Sequence, residues 1–369
     1  MKKYKFIPVT EPDLRGNELK YVTDCIKTNW ISSNGSYVTE FGEKFSRYCN
    51  VKYGVPVSNG TTALHLALLA LGIGPGDEVL VPSLTFVATA NAVLYVGAKP
   101  VFLESDPETW CLDPNDIKNK ITKHTKAIIP VHLYGHPAEM DSILHIARKH
   151  NLYVIEDAAE AHGALYNGKK VGSFGHVACF SFFGNKTITT GEGGMVITNN
   201  KQIMERLIYL RDGARNKSVN NYFHAELGYN YALTNLQAAV GVAQLERIGV
   251  FISKKRKIAS IYREAFRNYN KLDFSPQKKN VNSIFWMSSV VLRKNAGITR
   301  DCLIEKLAKF GIQTRPFFYP LHKLPYINDK VKLPVTEYLA GNGLNLPSGV
   351  TLNEKDVVYI ADTIKKILK

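Results

Sequence analysis

Short apolar runs alternate with helix-like stretches through the first half of this chain, and that alternation restricts the fold more than any other feature. Glu78–Pro82 (EVLVP), Pro100–Glu104 (PVFLE), Ala127–Val131 (AIIPV) and Leu152–Glu156 (LYVIE) read as buried strands. Between them, Thr61–Leu71, Thr85–Val96 and Ala138–His150 carry helical patterning. Parallel strands need crossover connections, and continuous apolar strands need cover on both faces, so this rhythm predicts an α/β fold with helices sandwiching a mostly parallel sheet. Val177–Phe182 and Met195–Thr198 follow one another with no long helix between them. They are expected to pair as a hairpin, which makes the sheet mixed.

The pattern changes near residue 250. Ser253–Asn268 is helical and charged. A Lys/Asn-rich stretch (Gln277–Asn282), a strand-like run (Ile284–Leu292), a helix (Arg300–Phe310) and a last helix (Glu354–Leu368) follow. We therefore expect a large domain over 1–250 and a smaller C-terminal α+β domain over 251–369. A chain of 369 residues that is 45% hydrophobic can bury two such lobes. Its apolar runs are strand-length, and MKKYKFIPVTEPDL starts basic without an apolar h-region, so a cytoplasmic protein with no membrane partner is expected. The 5 cysteines form no CxxC and the 10 histidines no HExxH, so neither a disulfide framework nor a metal site is expected. The formal charge of +15 is spread along the chain, apart from short clusters such as Lys254–Lys257. Without a nucleic-acid motif or an aromatic-basic platform, this reads as a basic surface that also suits an anionic small substrate.

Three segments carry chemistry. Ser58-Asn59-Gly60-Thr61-Thr62 ends a strand and opens a helix. Such a turn offers free N–H groups at a positive helix end, an anion site that coexists with ordinary capping. In Val154-Ile155-Glu156-Asp157-Ala158-Ala159-Glu160, carboxylates stand at the end of an apolar strand, where an α/β sheet presents its ligands. A buried Asp needs a partner, which a cationic ring N–H or the cap of the next helix would supply. Lys186 follows an aromatic strand and precedes a Thr/Gly-rich loop (SFFGNKTITTGEGG), an odd place for a solvated lysine. Partial burial there would free a neutral, nucleophilic amine.

Together these segments resemble the DegT/DnrJ/EryC1/StrS sugar aminotransferases. The resemblance extends over nearly the whole chain, through Thr28–Phe41, SNGTTALHLAL, PSLTFVATANAV, PVHLYGHPAEMD, VIEDAAEAHG, FSFFGNKTITTGEGGMV, GYNYALTNLQAA, RPFFYPLH and NLPSG. It is strongest to the GDP-perosamine-forming branch, an O-antigen (lipopolysaccharide) chemistry. It implies the fold-type I architecture of pyridoxal 5′-phosphate (PLP) enzymes, with the cofactor cycling between PLP and PMP. Lys186 would be its Schiff-base lysine, Asp157 the partner of its ring nitrogen and Phe86 the aromatic stacked on the ring. Gly60, Thr61 and Ser181 would bind its phosphate, and Asn230 would reach the phosphate in a neighbouring subunit, so a homodimer with shared sites is implied. Glu160 stands where the family usually has Gln or His near the ring hydroxyl. Trp30, Ser32, Ser33, Arg315, Phe317, Tyr319 and His322 are implied substrate neighbours. The implied substrates are L-glutamate and GDP-4-keto-6-deoxy-D-mannose, with a UDP- or dTDP-linked 4-keto-6-deoxyhexose (viosamine-type) as the alternative. A dehydratase of this fold lacks the lysine and typically has His there, and a purely regulatory protein would not need the intact cofactor set.

Overall fold

The computed structural model describes residues 5–216, 218 and 222–369. In chain order the strands of the first lobe are β1 (Tyr53–Val57), β2 (Glu78–Pro82), β3 (Lys99–Leu103), β4 (Thr125–Ile128) and β5 (Tyr153–Asp157). The short pair β6 (Leu165–Tyr166) and β7 (Lys169–Lys170) precedes β8 (Val177–Ser181) and β9 (Gly194–Thr198). Seven of them form one sheet in the order β1-β9-β8-β5-β4-β2-β3. Only β9 runs against the rest, antiparallel to both β1 and β8. The expected hairpin-type pairing of β8 and β9 is therefore present, with the loop that carries Lys186 joining them.

Alternation along each strand feeds two cores. Val79, Val81, Ile155, Val177 and Cys179 point to one face, where Leu64, Leu68, Val93 and Leu207 meet them. Those come from α3 (Gly60–Ala70), α4 (Ala88–Tyr95) and α7 (Lys201–Arg211). Leu80, Ile128, Val154, Phe180 and Ile197 point to the other face, against Phe41, Phe45, Ile143 and Val242. These lie on α2 (Ser36–Tyr48), α6 (Met140–Lys149) and α8 (Asn235–Glu246). A period of two with apolar residues on both faces is what a covered, mostly parallel sheet requires. The α1 (Glu18–Lys27) and α2 helices were not read from the sequence.

The second lobe is a four-stranded sheet, in which Leu272–Phe274 pairs with Ser288–Leu292, then Gly343–Leu346, then Arg315–Pro316. Helices Arg300–Ala308 and Glu354–Ile367 cover it. The helix Ile248–Phe266, here α9, bridges the lobes: Ile248, Phe251 and Ile252 lie in the large core, and Ile258, Tyr262 and Phe266 in the small one. One detail differs from the expected 1–250 division. The opening segment bonds to the C-terminal lobe, with Ile7 N–H donating to the Gly311 carbonyl (2.8 Å) and Ser348 N–H to that of Val9 (2.7 Å). Ile7 is apolar and buried among small-lobe residues, so burial rather than chain order decides where it packs.

Candidate active site

Two chain segments converge at the C-terminal end of the large sheet, the edge where a parallel sheet exposes its loops. Asp157 closes β5, Glu160 lies in the turn after it, and Lys186 lies in the β8–β9 loop. Lys186 N–H donates to the Phe183 carbonyl at 2.9 Å, and Thr190 N–H to that of Phe182 at 2.9 Å, so the loop is tied to the strand it leaves. The Lys186 side chain is 11% exposed, with Nζ 3.7 Å from Glu160 Oε1 and 4.1 Å from the centre of the Trp286 ring. Burial pulls its pKa down, and Glu160 and Asp157 oppose that. Burial pushes Glu160 up to about 7, against the pull of Lys186 and of the Tyr134 N–H. That N–H donates to Glu160 Oε2 at 2.8 Å. Its direction depends on the left-handed backbone of Tyr134 (φ 51°).

Asp157 is buried and its pKa is raised by burial. Thr89 Oγ1 donates to Oδ2 at 2.8 Å and Ala159 N–H to Oδ1 at 3.2 Å. These neutral donors only partly replace water, so the carboxylate has use for a cationic N–H. Thr85 Oγ1 contacts Thr89 Oγ1 at 3.2 Å, and the next residue, Phe86, is 55% exposed with its ring 6.0 Å from Phe318. Phe318 in turn stacks on Tyr134 at 5.4 Å.

The turn before α3 forms an anion cradle. Asn59 and Thr62 make a reciprocal capping box. As the first two helical residues, Gly60 and Thr61 have N–H groups with no intrahelical acceptor. A Cβ on Gly60 would lie 2.8 Å from Ser181 Cβ, so Ser181 stands directly beside that helix end. Buried His162 donates from Nε2 to the Ser181 carbonyl at 3.0 Å and holds that strand end in place. Lysine amine, buried carboxylates and phosphate-sized cradle together fit an aldehyde-bearing, anionic, pyridine-type cofactor.

The other expected residues do not gather there. Asn230 bridges to Asp212 and lines a broad groove with Ser33 and Asn34 that includes no member of the Lys186 cluster. Asn235 holds the N-terminal segment, its side chain donating to the Trp30 carbonyl (2.7 Å) and its N–H to that of Ser32 (2.9 Å). Arg315 and Tyr319 are exposed. Phe317 is buried between Trp110 (5.4 Å) and Tyr134 (4.7 Å). His322 is buried against Ser83 Oγ at 2.7 Å and Glu337 at 3.3 Å. Thr89, Tyr134 and Trp286 were not singled out from the sequence. Thr89 and Tyr134 lie inside motifs that carry the resemblance, whereas Trp286 lies in a run read only as strand.

The family model described as the DegT/DnrJ/EryC1/StrS aminotransferase family matches residues 12–365. This chain is a DegT/DnrJ/EryC1/StrS aminotransferase. It is 49% identical over 364 residues to a GDP-perosamine synthase of Escherichia coli O157:H7, covering 98% of each chain. It is 46% identical over 367 residues to one from Caulobacter vibrioides, again covering 98% of each. A putative sugar aminotransferase of Streptococcus pneumoniae, solved in PLP and PMP forms, superposes with a TM-score of 0.93 at 27% identity, over 99% of this chain. The cofactor of this aminotransferase is accordingly PLP, and the buried amine, carboxylate and cradle fit it. Among the described residues no group of three potential ligands could hold a metal ion, and no helix is long and apolar enough to cross a membrane.

Proposed function

We propose that this aminotransferase converts GDP-4-keto-6-deoxy-D-mannose to GDP-perosamine with L-glutamate as amino donor. The observation that carries the reading is the full-length identity of 44–49% to three GDP-perosamine synthases, joined to an intact Lys186–Glu160–Asp157 cluster.

In this reading Lys186 is the attachment residue and the proton carrier. When bound, the cofactor supplies a protonated ring that withdraws electrons from the carbon next to the transferred nitrogen. Asp157 holds the ring-nitrogen proton. The depressed pKa of Lys186 provides neutral amine, which takes the Cα proton of glutamate and, in the second half, delivers one to the sugar carbon. Glu160 beside Nζ steadies the ammonium that forms in between. Gly60, Thr61 and Ser181 bind the phosphate, and Phe86 covers one ring face. Trp30, Ser32, Ser33, Arg315 and Tyr319 contact substrate, while Phe317 and His322 support that region by packing. The assembly is a homodimer in which Asn230 serves the partner's site. Supporting this, Asn230 lines an open groove whose lining does not include Lys186, beside apolar side chains as exposed as Leu227 (77%). The domain division stays near residue 250, with the opening segment around Ile7–Val9 assigned to the small lobe. The enzyme works in the cytoplasm.

A coupled glutamate-dependent assay against GDP-, UDP- and dTDP-linked 4-keto-6-deoxyhexoses tests the substrate. Turnover should be fastest with the GDP sugar; faster turnover of either alternative would overturn the assignment.

A further inference from the structure

Lys255, on α9, is 2% exposed, although the Lys254–Lys257 cluster that contains it reads from the sequence as basic surface. Its ammonium donates to the backbone carbonyls of Trp286 (3.0 Å) and Ser348 (3.0 Å). No carboxylate of the described residues stands within ion-pair distance of it. A buried cation held only by neutral carbonyls is costly, and a methionine would fill the same space without that cost. Where its two bonds lead suggests what it does.

Trp286 is the residue whose ring lies 4.1 Å from Lys186 Nζ. Its indole Nε1–H donates to the Asn185 carbonyl at 2.8 Å, one residue before Lys186. Ser348 bonds to the opening segment and to Ser288, its N–H donating to the Val9 carbonyl and its Oγ accepting from Ser288 N–H at 2.8 Å. Lys255 and Lys186 also line one enclosed chamber of about 10 Å³, with Thr187 and Gln244, room for about one water. Thr187 Oγ1 is buried beside it without a hydrogen-bond partner.

We propose that Lys255 is a positioning residue for Lys186: its ammonium clasps the Trp286 backbone so that the indole caps the reactive amine. The claim builds on the reading of Lys186 as the attachment residue. An indole face solvates an ammonium less well than water does, so a fixed cap favours the neutral amine. Glu160 and Asp157 face Lys186 from the β5 end. Glu11 and Asp13 border the chamber, and Asp13 is neutralised by Arg15 and Arg247. Buried His162 lies close enough to feel both Lys186 and Lys255; a direct charge effect of that kind does not need the indole and persists in a Trp286→Leu background. Burial brings Lys255 itself down to about 7.

The test uses cofactor-free protein, so it does not depend on turnover. Competitive acetylation at varied pH, read by mass spectrometry, gives the protonation midpoint of Lys186. In Lys255→Met this midpoint should rise enough to cut the neutral fraction at pH 7 by roughly three- to tenfold. In a Trp286→Leu background the same substitution should add nothing. Should the methionine variant not fold, Lys255→Gln carries the same comparison. An unchanged midpoint in a folded variant, or equal shifts with and without the indole, would overturn the proposal. Borohydride fixing the cofactor to another lysine would instead overturn the role of Lys186 and leave this titration readable.

Discussion

Glu160 takes its proton near 4.5 in an unfolded chain and near 7 in the fold. Between those values the folded state holds more proton than the unfolded state, so stability falls as pH rises through that window. The full effect is on the order of 3 kcal/mol. Lys186 acts with the opposite sign: its folded pKa is lowered, so stability rises with pH between that lowered value and the ordinary 10.5. The stability of the cofactor-free wild type relative to Glu160→Gln, read by thermal unfolding, should therefore fall between pH 4.5 and 7. Parallel curves would refute the raised pKa. At this scale the burial of Lys186 and Asp157 was legible because their local context was unusual: a lysine after an aromatic strand and a carboxylate at a strand end. Trp286 and Lys255 were not legible. Trp286 reaches Asn185 across 101 positions and Lys255 reaches Ser348 across 93, and no local pattern encodes contacts of that separation.

The elements were easier to read, since apolar runs and periodicity are local. The strands and the helices at Gly60–Ala70, Met140–Lys149 and Glu354–Ile367 fall close to where the pattern placed them. The run expected as strand over Ile284–Leu292 is regular only over Ser288–Leu292. Its first half instead packs against the Tyr134–Gly135 turn, with Ile284 N–H donating to the Gly135 carbonyl at 3.2 Å. The start of β9 holds a close approach that the sequence hints at only through its glycines. A Cβ on Gly194 would lie 2.3 Å from the Asn59 carbonyl oxygen, whereas one on Gly191 would meet nothing within 4 Å. Gly194→Ala must displace the turn proposed to cradle the phosphate, costing about 1–3 kcal/mol. Gly191→Ala strains only its own backbone (φ 80°), by roughly 1 kcal/mol. Absorbance titration should therefore show a much larger loss of PLP affinity for Gly194→Ala. Equal losses would remove the cradle from the phosphate site.

Across the whole molecule, the proposed homodimer makes a prediction of its own. A Lys186→Ala subunit keeps Asn230, and an Asn230→Ala subunit keeps Lys186. If sites are shared, mixing the two inactive proteins should restore up to about a quarter of wild-type activity, since half of the dimers are mixed and each has one intact site. No recovery after subunit exchange, verified by mass spectrometry, would confine Asn230 to its own chain. The change of pattern near residue 250 was legible in the sequence, but the packing of the opening segment against C-terminal residues was not, because a single short apolar stretch does not name its partner. The cysteines add a practical consequence. Cys25, Cys49, Cys111 and Cys179 are buried as free thiols, and only Cys302 is partly open. Cys49 and Cys111 belong to the core on one face of the large sheet, Cys179 to the other. Cys49 and Cys111 on one side and Cys179 on the other are thus dormant chemical clocks set in two layers. Brief pulses of alkylating reagent, read peptide by peptide, would tell which layer opens first as the enzyme comes apart, without adding any label by mutation.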